Sequence, residues 1–515
     1  MEAVLRVKNL NKSFGSRPVI RDVSFDVYSG EIFGFLGPNG AGKTTTIKMI
    51  LGFLFPDSGE ISICDLDLKK HYEKAMNLVG GIVENPELYK EMTGYENLRM
   101  YARLHDGVTE ERIQEVVRLV GMQNRAGEKL KKYSLGMKQR IGLAQAIVHR
   151  PRLLILDEPT NHLDMKARET VSAYLKRKKG FILVSHDRCF LDGCVDHILS
   201  INRSNIEVQS GNFSSWMENF ERQQEFELAQ NVKLKKSIDN LQKAAQRTSV
   251  WSDRIEASKY GNGPVDRGYI GHKSAKMMKR SKSIEVRQQR AIEEKSGLLK
   301  NLEIIEDLKI TPLLYFSDTL VTFSDVVPIF DGKDVCQPIS FTVKRGERIA
   351  LDGKNGSGKT SILKLLIGQQ IEHRGTVTIG SGMILSYVPQ DTSMLNGSLS
   401  EFAEANRIDE SLFKAILREM DFSRIQFEKK MEDFSAGQKK KVLIAKSLCE
   451  QAHLYVWDEP LNYIDIYSRM QIENLIREFS PTMIFVEHDL AFRNTIATKT
   501  VYIESTPGQS CQWSR

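Results

Sequence analysis

The chain has 515 residues, 41% of them hydrophobic and 27% charged, which is too long for one ordinary core and suits two globular domains of roughly 200 residues each. Its formal net charge is +7, yet residues 231–300 alone sum to +10, so a basic stretch sits in an otherwise slightly acidic chain. No run of about 18 or more apolar residues occurs and Met1–Asn9 has no signal-peptide pattern, so a membrane-spanning or exported product is not expected and a cytoplasmic one is.

In chain order, Val4–Val7 and Ile20–Val27 read as strands, and Ile32–Leu36 is a continuous apolar strand running into a glycine-rich loop, Gly37 to Thr44, with a helix expected over Thr44–Gly52. Leu153–Leu156 and Phe181–Val184 are short, apolar and branched, as buried parallel strands are. Residues 217–249 and 273–308 carry no proline and one glycine, Gly297, and are rich in Glu, Gln, Lys and Leu. They predict two long helices around a polar, basic tip at Trp251–His272, which holds Gly261, Gly263, Pro264, Gly268 and Gly271. A second glycine-rich loop follows at Gly353 to Thr360, again between a strand and a helix.

The motifs recur as an internal repeat. The interval of 24 residues from Ser134 to Glu158 returns from Ser435 to Glu459, whereas the lysine-to-glutamate distance is 115 residues in the first half and 100 in the second. The extra length must lie before Ser134. Domain one is placed at 1–216, a joining segment at 217–310 and domain two at 311–515. Six cysteines, Cys64, Cys189, Cys194, Cys336, Cys449 and Cys511, show no metal-ligand spacing and read as structural residues of a reducing compartment.

The loops carry the chemistry. Gly37, Asn39, Gly40 and Gly42, and Gly353, Asn355, Gly356 and Gly358, let successive backbone N–H groups converge on phosphate oxygens. Lys43 and Lys359 reach the terminal phosphates, Thr44 and Thr360 offer hydroxyls to Mg2+, and Thr45 and Ser361 follow them. Asp157 and Asp458 end apolar strands and are placed to hold the Mg2+ shell. Glu158 and Glu459, one residue on, are placed to polarise an attacking water; the alternative is that these carboxylates cap nearby helices. His186 and His488 follow apolar strands at matching offsets and can sense a terminal phosphate. Phe14 and Phe330 are candidates for stacking on a base, or else fill the core.

These residues resemble the ATP-binding cassette superfamily over essentially the whole chain apart from the joining segment. The resemblance implies an α/β protein of two tandem ATP-binding cassette domains, each a P-loop fold with a helical subdomain, joined by a long helical hairpin linker. It implies an ATP hydrolase using ATP and Mg2+, with two nucleotides sandwiched between cassettes of one chain, a monomer. Ser435 and Gly437 would then complete the site of Lys43, while Ser134 and Gly136 complete that of Lys359. Two departures suggest unequal sites. Leu135 and Met137 replace the usual small residue and glutamine of the first signature, and Glu84 stands where the second half has the metal-contacting Gln390.

Tandem cassettes, a charged helical linker and Thr160-Asn161-His162-Leu163-Asp164 resemble the soluble F-type subfamily that acts on the ribosome. That resemblance implies contact with the 70S ribosome, with 23S rRNA and P-site tRNA met by the linker, and Lys273, Lys276, Lys279, Arg280 and Lys282 as a phosphate track. The second-half stretch Trp457 to Asp465 and the linker stretch Gly268 to Arg280 are similar to the antibiotic-resistance group, which protects ribosomes from lincosamides, pleuromutilins and group A streptogramins. Housekeeping translation factors share the architecture. From Glu31 to Arg152 the wording instead resembles the ATPase subunit of bacitracin-type peptide exporters, so an exporter ATPase stays as an alternative. No permease partner is expected, because a basic linker has no role between two exporter ATPases. DNA-repair ATPases fit less well, since their coiled coils lie within a cassette.

Overall fold

The computed structural model describes residues 2–15, 17–37, 40–83, 86–160, 163, 165–177, 180–201, 206–257, 309–330, 332–505. It divides into two compact units, Met1–Ser214 together with Glu306–Arg515, and Ser215–Ile305.

In the first unit the N-terminal half opens with β1 (Ala3–Phe14) and β2 (Arg17–Tyr28), paired antiparallel, and β3 (Ile32–Leu36) leads to α1 (Lys43–Ile50). Then come β4 (Ser58–Ile63), β5 (Leu66–Asp67), α2 (Tyr72–Met76) and β6 (Val79–Ile82). A helical layer of α3 (Gly94–Ala102), α4 (Glu110–Leu119) and α5 (Leu135–Ile147) precedes β7 (Leu153–Asp157). The half continues with α6 (Met165–Leu175), β8 (Phe181–Val184), α7 (Arg188–Cys194), β9 (His197–Ile201) and β10 (Ile206–Ser210). One sheet runs β2-β1-β4-β5 and the other β10-β9-β3-β8-β7-β6. The second is parallel from β9 to β6, and β3, β7 and β8 are buried at every position. Covered on both faces, they gain nothing from polar alternation, which is why their sequences read as unbroken apolar runs.

The C-terminal half repeats the plan. β11 (Thr319–Phe330) pairs with β12 (Lys333–Asp334), β13 (Ile339–Lys344) and β15 (His373–Ile379). The parallel sheet runs β16-β17-β18-β14-β19, formed by β14 (Arg348–Asp352), β16 (Leu385–Val388), β17 (Leu454–Asp458), β18 (Met483–Val486) and β19 (Lys499–Tyr502). Helix α9 (Lys359–Leu366) follows β14. The other helices used below are α11 (Glu410–Glu419), after α10 (Leu399–Ala405), then α12 (Ala436–Cys449), α13 (Ile466–Phe479) and α14 (Leu490–Ile496). Phe413, Tyr455, Trp457 and Phe485 anchor one core beneath the helical layer.

Two expectations shift and a third is located. The first strand runs on to Phe14, because backbone pairing with β2 continues through Phe14 opposite Arg17. The first helix spans Lys43–Ile50, ended by a turn at Leu51 and Gly52 instead of reaching Gly52. Much of the extra length of the first half is β5 and α2, which lie between β4 and β6 and have no counterpart between β15 and β16.

The second unit is described through α8, whose full span is Phe213–Ala257, about 67 Å at 1.5 Å per residue. It continues past 249 to Ala257, so the first residues expected in the tip are helical, since no glycine or proline interrupts them before Gly261. The rest of the expected tip, the second linker helix and the basic residues from Lys273 to Lys282 lie outside the described residues.

Candidate nucleotide site between the cassettes

The two glycine loops are built alike. Gly37 and Gly353 have φ of 152° and 154°, and an added Cβ would lie 2.6 Å from the Ile201 carbonyl oxygen and 2.5 Å from that of Ile503. Only glycine lets the chain leave β3 or β14 so close to the neighbouring strand. Gly40, Gly42, Gly356 and Gly358 all have positive φ, the backbone conformation from which anion-binding loops of successive N–H groups are built. The Lys43 ammonium donates to Gly37 O at 2.6 Å, and that of Lys359 to Gly353 O at 2.7 Å and Lys354 O at 3.0 Å. Burial lowers the pKa of Lys43, and Asp465, Glu158 and Asp157 oppose that effect.

A cavity of about 590 Å³ is lined by both halves. The first supplies Phe14, Gly40, Gly42, Lys43, Thr44, Thr45, Asp157, Glu158 and His186, and the second Ser435, Gly437, Gln438, Lys441 and Tyr463. Phe14 is 52% exposed, so its ring is open to stacking. Ser435 caps α12 by accepting from Gln438 N at 3.3 Å, and Gln438 Oε1 accepts from Ser435 N at 3.0 Å. This reciprocal box aims the helix N-terminus at the cavity. Ser134 caps α5 in the same way, accepting from Met137 N at 3.3 Å, but Met137 has no amide to return the bond. Gly136 is buried behind it.

The residues fit Mg2+ and ATP on their own terms. Thr44 Oγ1 donates to Asp157 Oδ2 at 3.2 Å, a hydroxyl and a carboxylate side by side, the hard oxygen pair that Mg2+ takes. In the other half the buried carboxylate of Asp458 has the Thr360 hydroxyl beside it, the matching pair. Burial first, then the charge of Glu459, pushes the Asp458 pKa up to about 6.

Glu158 and Glu459 adopt left-handed φ of 51° and 46°, fixed by bonds from their N–H groups to Val184 O at 2.8 Å and Val486 O at 2.9 Å. The Glu158 carboxyl is pushed up to about 8, by burial above all and then by Asp157, while Arg469 and Lys43 oppose the rise. His186 Nε2 lies 3.4 Å from Glu158 Oε1 and His488 Nε2 3.6 Å from Glu459 Oε1. Burial, then the charges of Lys43 and Arg469, hold the His186 pKa well below its ordinary value. Glu459 Oε2 accepts from Gln390 Nε2 at 2.9 Å and Asn462 Nδ2 at 2.6 Å.

Of the other expected residues, Phe330 ends β11, half-buried. Asn355 is exposed in the second loop, and Thr360 and Ser361 open α9 after Lys359. Asn39, Glu84, Asn161, His162 and Asp164 lie outside the described residues.

Several interface residues escaped sequence reasoning. Arg469 Nη1 donates to His186 O at 2.8 Å across the cassette boundary, and Arg168 Nη1 donates to His488 O at 3.0 Å. Each arginine also pairs with an aspartate of its own cassette, Asp489 at 2.8 Å and Asp187 at 2.5 Å. These arginines recur at the same spacing as Ser134 and Ser435, and that repeat was the signal available. The bidentate pair Arg188–Glu473, at 3.0 and 2.8 Å, also crosses the boundary, but Leu490 and Ser172 occupy the matching positions, so no repeat marks it.

The family model described as ABC transporter matches residues 20–161 and 336–462. The chain belongs to the ATP-binding cassette family, and two such cassettes make it an ATP hydrolase that uses ATP and Mg2+. It is 27% identical over 542 residues to ABC transporter F family member 2 of Arabidopsis thaliana, covering 97% of this chain and 76% of that protein. It is 26% identical to the ribosome protection protein VmlR of Bacillus subtilis (strain 168), covering 96% and 85%. Over 216 residues, the length of one cassette, it is 46% identical to the uncharacterized ABC transporter ATP-binding protein YhcH of Bacillus subtilis (strain 168), covering 41% of this chain and 71% of that protein. The full-length likenesses put it in the F subfamily. Among the described residues no helix is long and apolar enough to cross a membrane.

Proposed function

We propose that the protein is an ATP-driven clamp of the F type that acts on the ribosome. The observation that supports the clamp is the single cavity shared by Lys43 and His186 of one cassette with Ser435 and Gly437 of the other. By the same repeat, Ser134 and Gly136 face Lys359 in the second site. Bound Mg2+, held by Thr44 and Asp157 or by Thr360, Asp458 and Gln390, supplies charge neutralisation on the transferring phosphoryl group. Lys43 and Lys359 orient the terminal phosphates, and the Ser435 and Ser134 hydroxyls complete the donor set. Glu158 and Glu459 accept the proton of the attacking water, and His186 and His488 hold the terminal phosphate.

Closure and chemistry are coupled through Arg469. It enters from the opposite cassette and favours the ionised form of Glu158, the form a general base needs. With that charge in place the carboxyl is held near pH 8; without it, burial would keep Glu158 protonated still further above neutrality.

The ribosome as target is supported by the full-length likeness to a ribosome protection protein and by the net +10 of residues 231–300, a polyanion-binding balance. Protection against peptidyl-transferase-centre drugs and a housekeeping role in translation are two versions of this reading. Export is favoured only by the likeness over one cassette length.

Sedimentation of the Glu158→Gln, Glu459→Gln variant with 70S ribosomes, with and without ATP, tests the reading. ATP-dependent association with footprints near the exit site and peptidyl-transferase centre is expected. No association at moderate salt sinks it and turns attention to a membrane partner. Drug-protection assays on the bound particles separate the two ribosomal versions.

A further inference from the structure

Comparing the halves position by position exposes a matched exchange around one of the two glutamates. Where the first half has Gln139, the second has Lys440, and where the first has Ser185 before its histidine, the second has Glu487. All four are buried. Two neutral side chains have become an ammonium and a carboxylate, and the Lys440 charge faces Asp458, Glu459, Glu487 and Asp391.

Their bonds fall on backbone atoms beside three groups that meet Glu459. Lys440 Nζ donates to Pro389 O at 2.7 Å and to Asp458 O at 3.1 Å, the residues immediately before Gln390 and Glu459. Glu487 accepts from Leu461 N at 3.1 Å, immediately before Asn462, and from His488 N at 2.7 Å and Asp489 N at 3.3 Å. Gln390 and Asn462 donate to Glu459, and His488 is the imidazole beside it. In the first half Gln139 donates to Glu158 O at a longer 3.4 Å, and the Ser185 hydroxyl pairs with Thr160 at 3.1 Å and accepts from Asp187 N at 3.2 Å. His186 Nε2 stands 3.4 Å from Glu158 Oε1, and Glu84 and Asn161, which match Gln390 and Asn462, lie outside the described residues.

A buried charge is tolerated when an opposite charge and full hydrogen bonding accompany it. Glu487 alone would add one more carboxylate beside Asp458 and Glu459, and Lys440 alone would leave its ammonium to those carboxylates; together they add no net charge. We infer that Lys440 and Glu487 are a charge-matched pair of positioning residues that hold the Glu459 carboxylate in place through Gln390, Asn462 and His488, an arrangement that the site of Glu158 lacks. The backbone beside Glu459 is therefore braced by a charged pair, and the backbone beside Glu158 by Gln139 and Ser185. This rests on Glu459 being the water-activating group.

The test is a double-mutant cycle on ATP turnover in the full chain, with Lys440→Gln, Glu487→Ser, the double variant and Lys440→Arg. Glu459→Gln, measured first, defines the share of turnover that its site supplies. If that share is nil, the role of Glu459 is wrong, whatever the other variants do. With a share present, each single variant is expected to lower it about tenfold with KM for ATP changed less than about threefold, because an unpaired buried ion misplaces the base without removing a substrate contact. The neutral double variant is expected to recover to within about threefold of wild type, since the two losses share one cause. Lys440→Arg, keeping the charge, should stay nearer wild type than Lys440→Gln. Additive losses, single variants indistinguishable from wild type, or a rise in KM alone overturn the pair. Should a single variant fail to fold, the double variant decides: folded and active supports the inference, and unfolded or inactive overturns it.

Discussion

Arg469 reaches across the cassette boundary to the carbonyl oxygen of His186, 2.8 Å away, while its other contacts tie it to Asp489, Leu461 and Ile464 of its own cassette. His186 of one cassette and the loop from Leu461 to Ile464 of the other thus share one buried guanidinium. Arg469→Ala removes that link and strands the Asp489 carboxylate, which is 1% exposed. A loss of about 3 kcal/mol or more in urea unfolding is expected, with ATP turnover falling further than in Arg168→Ala, whose pair is less buried at 13% and 7%.

Arg188 and Glu473 form the one-sided bridge of the interface, with side chains 18% and 8% exposed. Glu473→Ala leaves the arginine half-buried and should weaken cassette closure by about 1–3 kcal/mol. The exchange Arg188→Glu with Glu473→Arg should restore part of that loss, read as the ATP concentration that half-saturates closure by fluorescence between labelled cassettes. Equal closure in wild type and Glu473→Ala counts against the bridge.

Met137 gives a gain-of-stability expectation. Met137→Gln supplies the amide that Gln438 already gives the other signature, closing a second capping box. A gain of about 0.5–1 kcal/mol in unfolding free energy, with tighter nucleotide retention at the site of Lys359, is the expected outcome of calorimetry and filter-binding release assays.

His149 stacks on His105 with ring centroids 4.0 Å apart, Tyr101 standing edge-on to it at 5.8 Å, and its Nε2 meets Val79 O at 3.0 Å. Burial, then the neighbouring His105, pushes the His149 pKa down to about 4. A histidine depressed in the folded state binds its proton more readily when unfolded. Stability is therefore whole above pH 6.5, where His149 is neutral in both states, and is lost as pH falls toward 4. About 1–2 kcal/mol should disappear by pH 5 after allowing for partial exposure. His149→Gln should flatten that part of the urea-unfolding profile, and an unchanged profile would argue that this imidazole is not the titrating group.

What the sequence made legible was whatever the repeat printed twice. The loops at Gly37 and Gly353 and the apolar strands before Asp157 and Asp458 are local patterns, and local sterics and burial alone make them readable. Arg168 and Arg469 were also printed twice, but an arginine early in a polar helix looks like any solvated face until the other cassette is set against it. Arg188–Glu473 had no trace at all, because two residues 285 positions apart meet only through the packing of two domains. The exchange of Gln139 and Ser185 for Lys440 and Glu487 was visible as letters, yet its meaning depends on which backbone carbonyls and N–H groups those side chains reach.

Both cassettes belong to one polypeptide and one compact unit, and this fixes how the protein reads its fuel. Cassettes on separate chains must find each other, so their response to ATP slides with the amount of protein made. Here the partner is tethered at an effective concentration on the order of millimolar. A response to ATP that needs both cassettes is therefore set within each molecule, the same in a cell holding a few copies as in one holding thousands.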